Sequence, residues 1–270
     1  MAKKPPTRRP NRYERIIEKV FFAHYSPGQE EVAFDREEFE STSRALKIPL
    51  PKNLGDVVYS FRYRTQLPRS IQDTAPEGKA WVIMAAGRGR YRLVAVRPLD
   101  VRPRDGWAAI KVPDATPGLI SMYALSDEQA LLAKIRYNRL IDIFTGITCY
   151  SLQSHLRTTV PGMGQVETDE IYVGIDKRGA QYVFPVEAKA GRETLGTLQV
   201  GQDFALCETR FPDLICRPIG AQFMASGVIA LLEFALTDGE LTITAEKHYR
   251  LVPPEQLSPE DLSDYQRQTE

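Results

Sequence analysis

The sequence predicts an α/β chain in two parts: three helices and a β-hairpin, then a mixed β-sheet flanked by helices. Three observations predict it. Capped, amphipathic helical patterns open the chain. Beyond Gly146 the hydrophobic period switches from helical to alternating. The charge is also segregated. The chain carries 35 Lys+Arg and 35 Asp+Glu, but 21 of the basic and 13 of the acidic residues precede position 111, leaving 14 and 22. Two modules with different tasks follow, residues 1–110 and 111–270. Pro98, Pro103, Pro113 and Pro117 mark a linker over 98–120, part of it compatible with strand.

In the first part, residues 1–10 read as a flexible basic arm. A helix starting near Asn11 places Ile16, Ile17, Val20 and Phe21 on one face. Asp35, with Glu38 three residues on, caps a second helix that Pro49 and Pro51 end. A third helix spans 52–64, and residues 81–96 form a hairpin turning at Gly87-Arg88-Gly89. This is the element order of a winged helix-turn-helix. The third helix carries Lys52, Asn53, Ser60, Arg62 and Arg64 among Tyr59, Phe61 and Tyr63. Such a helix reads bases with Asn and Arg and holds phosphates with Lys and Arg. Arg88, Arg90 and Arg92 at the hairpin suit phosphate or the minor groove. A solvated basic helix with an aromatic core face is the competing reading.

In the second part, Ser126 caps a helix over 126–144, with Gln129 completing a capping box. Strands follow at 148–158, 165–175 and 181–190, the last two joined by the turn Asp176-Lys177-Arg178-Gly179. A helix at 193–208 and strands near 214–223, 227–236 and 240–251 complete the pattern. The polar tail from Pro253 is expected to fray. Cys149, Cys207 and Cys216 lie far apart without a CxxC, which argues against a disulfide framework or a zinc site. No apolar run is long enough for a bilayer and no signal-peptide core follows the basic start, so a cytoplasmic, non-membrane protein is expected.

The chemistry concentrates in Glu167-Thr168-Asp169-Glu170 and Val186-Glu187-Ala188-Lys189. Alternation puts Glu187 and Lys189 on one strand face, and Glu167 and Asp169 on one face of the neighbour. Antiparallel pairing can bring Asp169 to Glu187. Charges in an apolar sheet are costly unless they pair or hold a metal. Two carboxylates with an amine suit phosphodiester hydrolysis with Mg²⁺, for which Mn²⁺ can substitute. The backbone of Ala188 is a natural further ligand. Lys189 can orient or deprotonate the water, or balance transition-state charge. Arg157 can touch a substrate phosphate, whereas His155 reads as structural. The competing reading makes Glu187 and Lys189 an exposed strand face and Asp169 a turn residue.

These residues resemble the PD-(D/E)XK nuclease superfamily, which includes most type II restriction endonucleases. The match lies in Thr168-Asp169 on one strand and Glu187-Ala188-Lys189 on the next, within a helix–strand–hairpin–helix context over 126–252. Thr168 stands where the motif's name has proline. Gln199 or Gln202 resembles a glutamine that some branches carry in the following helix, and Glu128 a helix glutamate that joins the metal shell. Glu167 and Glu170 remain alternatives to Asp169. The resemblance implies a restriction-endonuclease-like sheet and a sequence-specific, Mg²⁺-dependent endonuclease acting on double-stranded DNA. It further implies a homodimer to cut both strands and a possible cognate DNA methyltransferase. Two rivals stay open: a winged-helix transcription regulator with a C-terminal sensor or dimerisation domain, and a structure-specific repair nuclease of the same fold.

Overall fold

The computed structural model describes residues 11–50, 57–58, 60–61, 65–87, 89–99, 101–123, 128–191, 193, 195–224, 227–237 and 240–267. It is a mixed α/β protein of two compact units, Met1–Pro98 with Pro161–Gly164, and Leu99–Val160 with Gln165–Glu270. The division precedes position 110 because Ile110–Pro113 is a strand of the large sheet in the second unit.

In the first unit, α1 (Arg12–His24) starts at Asn11, whose side chain accepts from the Tyr13 and Glu14 N–H groups, both at 2.9 Å. Glu14 accepts from the Asn11 N–H in return, a reciprocal cap. The helix buries Ile16, Ile17, Val20 and Phe21, as the spacing predicts. Between α1 and α2 (Arg36–Leu46) lies a strand not foreseen, β1 (Glu31–Asp35), whose Val32 and Phe34 point inward. Only two inward positions announce it, too few for periodicity to register. The Glu38 side chain accepts from the Asp35 N–H at 2.8 Å, the cap expected for α2. Val57, Val58, Ser60 and Phe61 are helical, with Val57, Val58 and Phe61 buried. Lys52, Asn53, Arg62, Arg64 and Arg88 lie outside the described residues, as does Ser126. After α3 (Arg69–Gln72), the hairpin β2 (Ala80–Ala85) and β3 (Arg90–Val96) joins β1 in an antiparallel sheet, order β1-β3-β2.

The second unit is built on an eight-stranded mixed sheet. Its order is β4 (Ile110–Pro113), β11 (Glu240–Val252), β10 (Ile229–Thr237), β9 (Ile219–Phe223), β7 (Gln181–Ala190), β6 (Gly164–Ile175) and β5 (Thr148–Val160). The short β8 (Ile215–Cys216) also pairs with β7. β7 is antiparallel to β6 and parallel to β8 and β9. Pro185 falls in the interval between the β8 pairing at Tyr182–Val183 and the β9 pairing from Val186 onward. A residue without an N–H fits a central strand where the ladder is interrupted.

Helices α5 (Glu128–Tyr137) and α6 (Leu140–Thr145) pack with Tyr182, Phe184, Val186 and Ala188. On the other side, α7 (Thr197–Arg210) buries Val200 with Leu195, Ala230, Leu232 and Phe234. The single helix expected over 126–144 is therefore two. Arg139 takes a left-handed conformation, φ 51°, between them. The buried Asn138 amide accepts from Ala115 N–H at 2.7 Å and donates to Thr116 at 2.9 Å, turning the helix end toward that loop. A short helix, α4 (Gly118–Tyr123), precedes α5. The tail after Pro253 is not frayed as expected. It forms α8 (Pro259–Arg267), tied to β4 by the Lys111–Asp261 ion pair at 2.8 Å and by Lys111 N–H donating to Tyr265 at 2.9 Å. Among the described residues, no helix is long and apolar enough to cross a membrane.

Candidate active site

The backbone of β6 and β7 creates the site by parting. Their antiparallel ladder runs from Ile175↔Gln181 to Glu170↔Val186. Beyond it, the Ala188 N–H donates to Asp169 Oδ2 at 2.9 Å. A side chain thus replaces a strand carbonyl where the ladder ends. Strict alternation would put Thr168 and Glu170 on one face. Yet Thr168 bonds to Asp203 of α7 at 2.5 Å, while Glu170 receives Arg136 of α5 at 2.8 Å. The alternation of faces breaks where the two motif halves meet.

Glu187 and Lys189 share the face of β7 opposite Val186 and Ala188. Glu187 is 3 % exposed, and its Oε2 accepts from Gln199 Nε2 at 3.3 Å. Gln199 is itself oriented by the Gly196 N–H, which donates to its Oε1 at 3.2 Å. Lys189 Nζ lies 3.3 Å from Glu128 Oε1, at the start of α5. Asp169, Glu187, Lys189, Ala188, Gln199 and Glu128 are therefore brought together. Gln202 is buried on α7.

The remaining candidates stand elsewhere. Glu170 is fully buried and receives Arg136 and the Ser151 hydroxyl, the latter at 2.6 Å. Glu167 turns to the solvent side, where Arg157 meets it at 2.9 Å and His155 at 3.5 Å. Arg157 is exposed on β5. In the first unit, Ser60 shares a hydrogen bond with Thr65 at 3.1 Å, Arg90 is exposed, and Arg92 pairs with Glu31 across β1 at 3.3 Å.

One site residue escaped the sequence reading. Asp203 of α7 is 2 % exposed, and its Oδ2 is buried without a hydrogen-bond partner. It follows Gln199 by one helical turn and interrupts the buried face formed by Val200, Leu206 and Cys207. An acid at an apolar-face position was the available signal.

The electrostatics follow from crowding. Burial, then Asp203 and Asp169, push the Glu187 carboxyl well above its ordinary range, against Lys189. Burial and Asp169 push Asp203 up to about 8, although the Thr168 hydroxyl favours its charged form. Burial disfavours the charge on Lys189, but Asp169, Glu128 and Glu187 outweigh it and raise its pKa. Lys189 is thus an ammonium at neutral pH.

Among the described residues, no group of three or more His, Cys, Asp or Glu forms a ready-made metal cage. Mg²⁺ commonly needs only one or two carboxylates, with waters and substrate supplying the rest. The donor set fits such an ion: all-oxygen ligands from Asp169, Glu187 and the Ala188 carbonyl, beside an orphaned, buried acid oxygen. Compared with family models, with curated proteins and with solved structures, the chain matches none.

Proposed function

We propose that this chain is a Mg²⁺-dependent endonuclease of the PD-(D/E)XK kind, cutting double-stranded DNA in the manner of a type II restriction enzyme. The observation that carries the reading is the Asp169 carboxylate bonded to the Ala188 N–H, which sets both motif halves at one point of the parting strands. Asp169, Glu187 and the Ala188 carbonyl would hold the cation. A divalent cation bound there supplies Lewis acidity to the scissile phosphate and makes its water more acidic. Lys189, kept protonated by its carboxylate neighbours, offsets negative charge as it builds on the phosphate and orients the attacking water by donating to it. This favours charge balance over proton abstraction among the roles open to it. Gln199 steadies Glu187 from α7.

The first unit suits a DNA-reading module. Its order of α1, β1, α2, helical residues 57–58 and 60–61, α3 and the β2–β3 hairpin resembles that of a winged helix, with β1 added to the hairpin as the third strand, which supports this reading. Two cuts in a duplex require two sites, which supports a homodimer.

Plasmid incubation with Mg²⁺ tests the reading, with Glu187→Gln as control. Discrete fragments from wild type and none from the variant are expected. Cleavage at irregular structures alone would favour a repair nuclease. Tight DNA binding with no cutting under Mg²⁺ or Mn²⁺ would favour a regulator.

A further inference from the structure

Asp203 approaches the site from behind. One of its oxygens takes the Thr168 hydroxyl at 2.5 Å, immediately before Asp169 in the chain. The other is buried and accepts nothing. One turn earlier on the same helix, Gln199 donates to Glu187. A buried acid oxygen without a donor is disfavoured unless a positive charge compensates it. Lys189, the basic side chain of the cluster, is directed to Glu128 instead. A proline at position 168 would have no hydroxyl to give. Threonine there and aspartate at 203 are complementary.

We infer that Asp203 is a positioning residue for the divalent cation. It adds negative potential behind Asp169 and Glu187 without ligating the ion, and through Thr168 it fixes the backbone that presents Asp169. Its buried charge and the bound cation stabilise one another. The inference rests on the metal-dependent reading of this site.

Mn²⁺ titration of the full chain by isothermal calorimetry, without DNA, provides the test. Asp203→Asn keeps the side-chain shape and an acceptor for Thr168. It is expected to fold and to bind Mn²⁺ roughly 10–100-fold more weakly, the range seen when groups supporting metal ligands are removed. In chelator its thermal midpoint should rise above that of wild type, because an uncompensated acid has gone. A residue with a merely structural role would lower the midpoint and leave the affinity alone. Glu187→Gln should bind no Mn²⁺. If Asp203→Asn binds Mn²⁺ like wild type while Glu187→Gln does not, the inference is overturned and the metal reading stands. If wild type binds none, both fall. Should Asp203→Asn not fold, Asp203→Ser removes the same charge and is judged by the same two measurements.

Discussion

Asp169 and Ala188 are joined at the point where β6 and β7 separate, the Ala188 N–H donating to Asp169 Oδ2 at 2.9 Å. That bond occupies one oxygen of the acid, and it sets the peptide between Glu187 and Ala188. Position and chemistry are coupled through one backbone group.

Substitution at this junction should therefore stop cleavage while leaving DNA binding. For Asp169→Ala, Glu187→Ala and Lys189→Ala we expect losses of roughly 100-fold or more in rate, as for other essential metal-site groups. Gel-based cleavage beside a binding assay separates the two effects. Wild-type rates from Glu187→Ala would place the chemistry elsewhere.

Cleavage should need Mg²⁺ or Mn²⁺ and cease in EDTA. Ca²⁺, larger and less strict in geometry, should support binding but little cutting. Undiminished hydrolysis in excess chelator would exclude this mechanism.

Without metal, stability should fall as pH rises. Asp203 has its pKa raised from 3.8 to about 8 in the folded chain. Between those values the folded protein keeps a proton that the unfolded chain has released, so alkali favours unfolding. The stabilisation is fully present below about pH 4 and lost as pH approaches 8. Glu187, raised in the same direction, adds to the slope. Urea unfolding in EDTA at pH 5 and pH 8.5 should show the decline, and Asp203→Asn should flatten it. Equal slopes for the two proteins would mean that Asp203 does not hold the proton.

Gly220 lies opposite Glu187 in the β7–β9 register. A Cβ there would meet Leu195 Cδ1 at 2.2 Å and the Phe234 ring at 3.1 Å. Gly220→Ala should therefore destabilise by about 1–3 kcal/mol through overpacking. Thermal unfolding reports it directly; an unchanged midpoint would show that Leu195 yields freely.

Arg62 and Arg64 lead the residues expected to read DNA. Losing a phosphate contact should weaken binding to every sequence and lower the salt slope by about one unit. Losing a base contact should cost about 1–3 kcal/mol at a single position and relax specificity there. Binding of Arg62→Ala and Arg64→Ala to cognate and scrambled duplexes across salt distinguishes these outcomes. Wild-type behaviour by both would move recognition beyond the first 110 residues, to segments such as 158–166.

The helices and strands that bury a regular stripe were legible in the sequence. The stripe of Ile16, Ile17, Val20 and Phe21 announced α1, and the apolar run from Tyr182 to Val186 announced β7. The breaks were not. Asn138 ends α5 through bonds to residues 115 and 116, partners more than twenty positions away. The tail helix α8 rests on Lys111, about 150 positions earlier in the chain. At the site, Asp169, Glu187 and Lys189 stood out because charge is unusual in an apolar sheet. Asp203 did not, because a single acid in a helix looks solvated until tertiary packing reveals which face is covered. Nor could sequence distance separate Asp169 from its neighbours. The break in alternation that sends Thr168 to Asp203 and Glu170 to Arg136 belongs to the sheet.

The interruption at Pro185 leaves β7 in a single register, Tyr182 facing Ile215 and Val186 facing Ile219 at the same offset. Tyr182 and Val183 are matched to β8, whereas Val186 to Ala190 are matched separately to β9. The stretch Arg217–Pro218 carries the chain across that gap in step, the Arg217 N–H donating to the Val183 carbonyl at 3.0 Å. One residue added or removed there would force either Tyr182 off Ile215 or Glu187 off Gly220. The end of the sheet that bears the acids is thereby geared to its other end through a single strand.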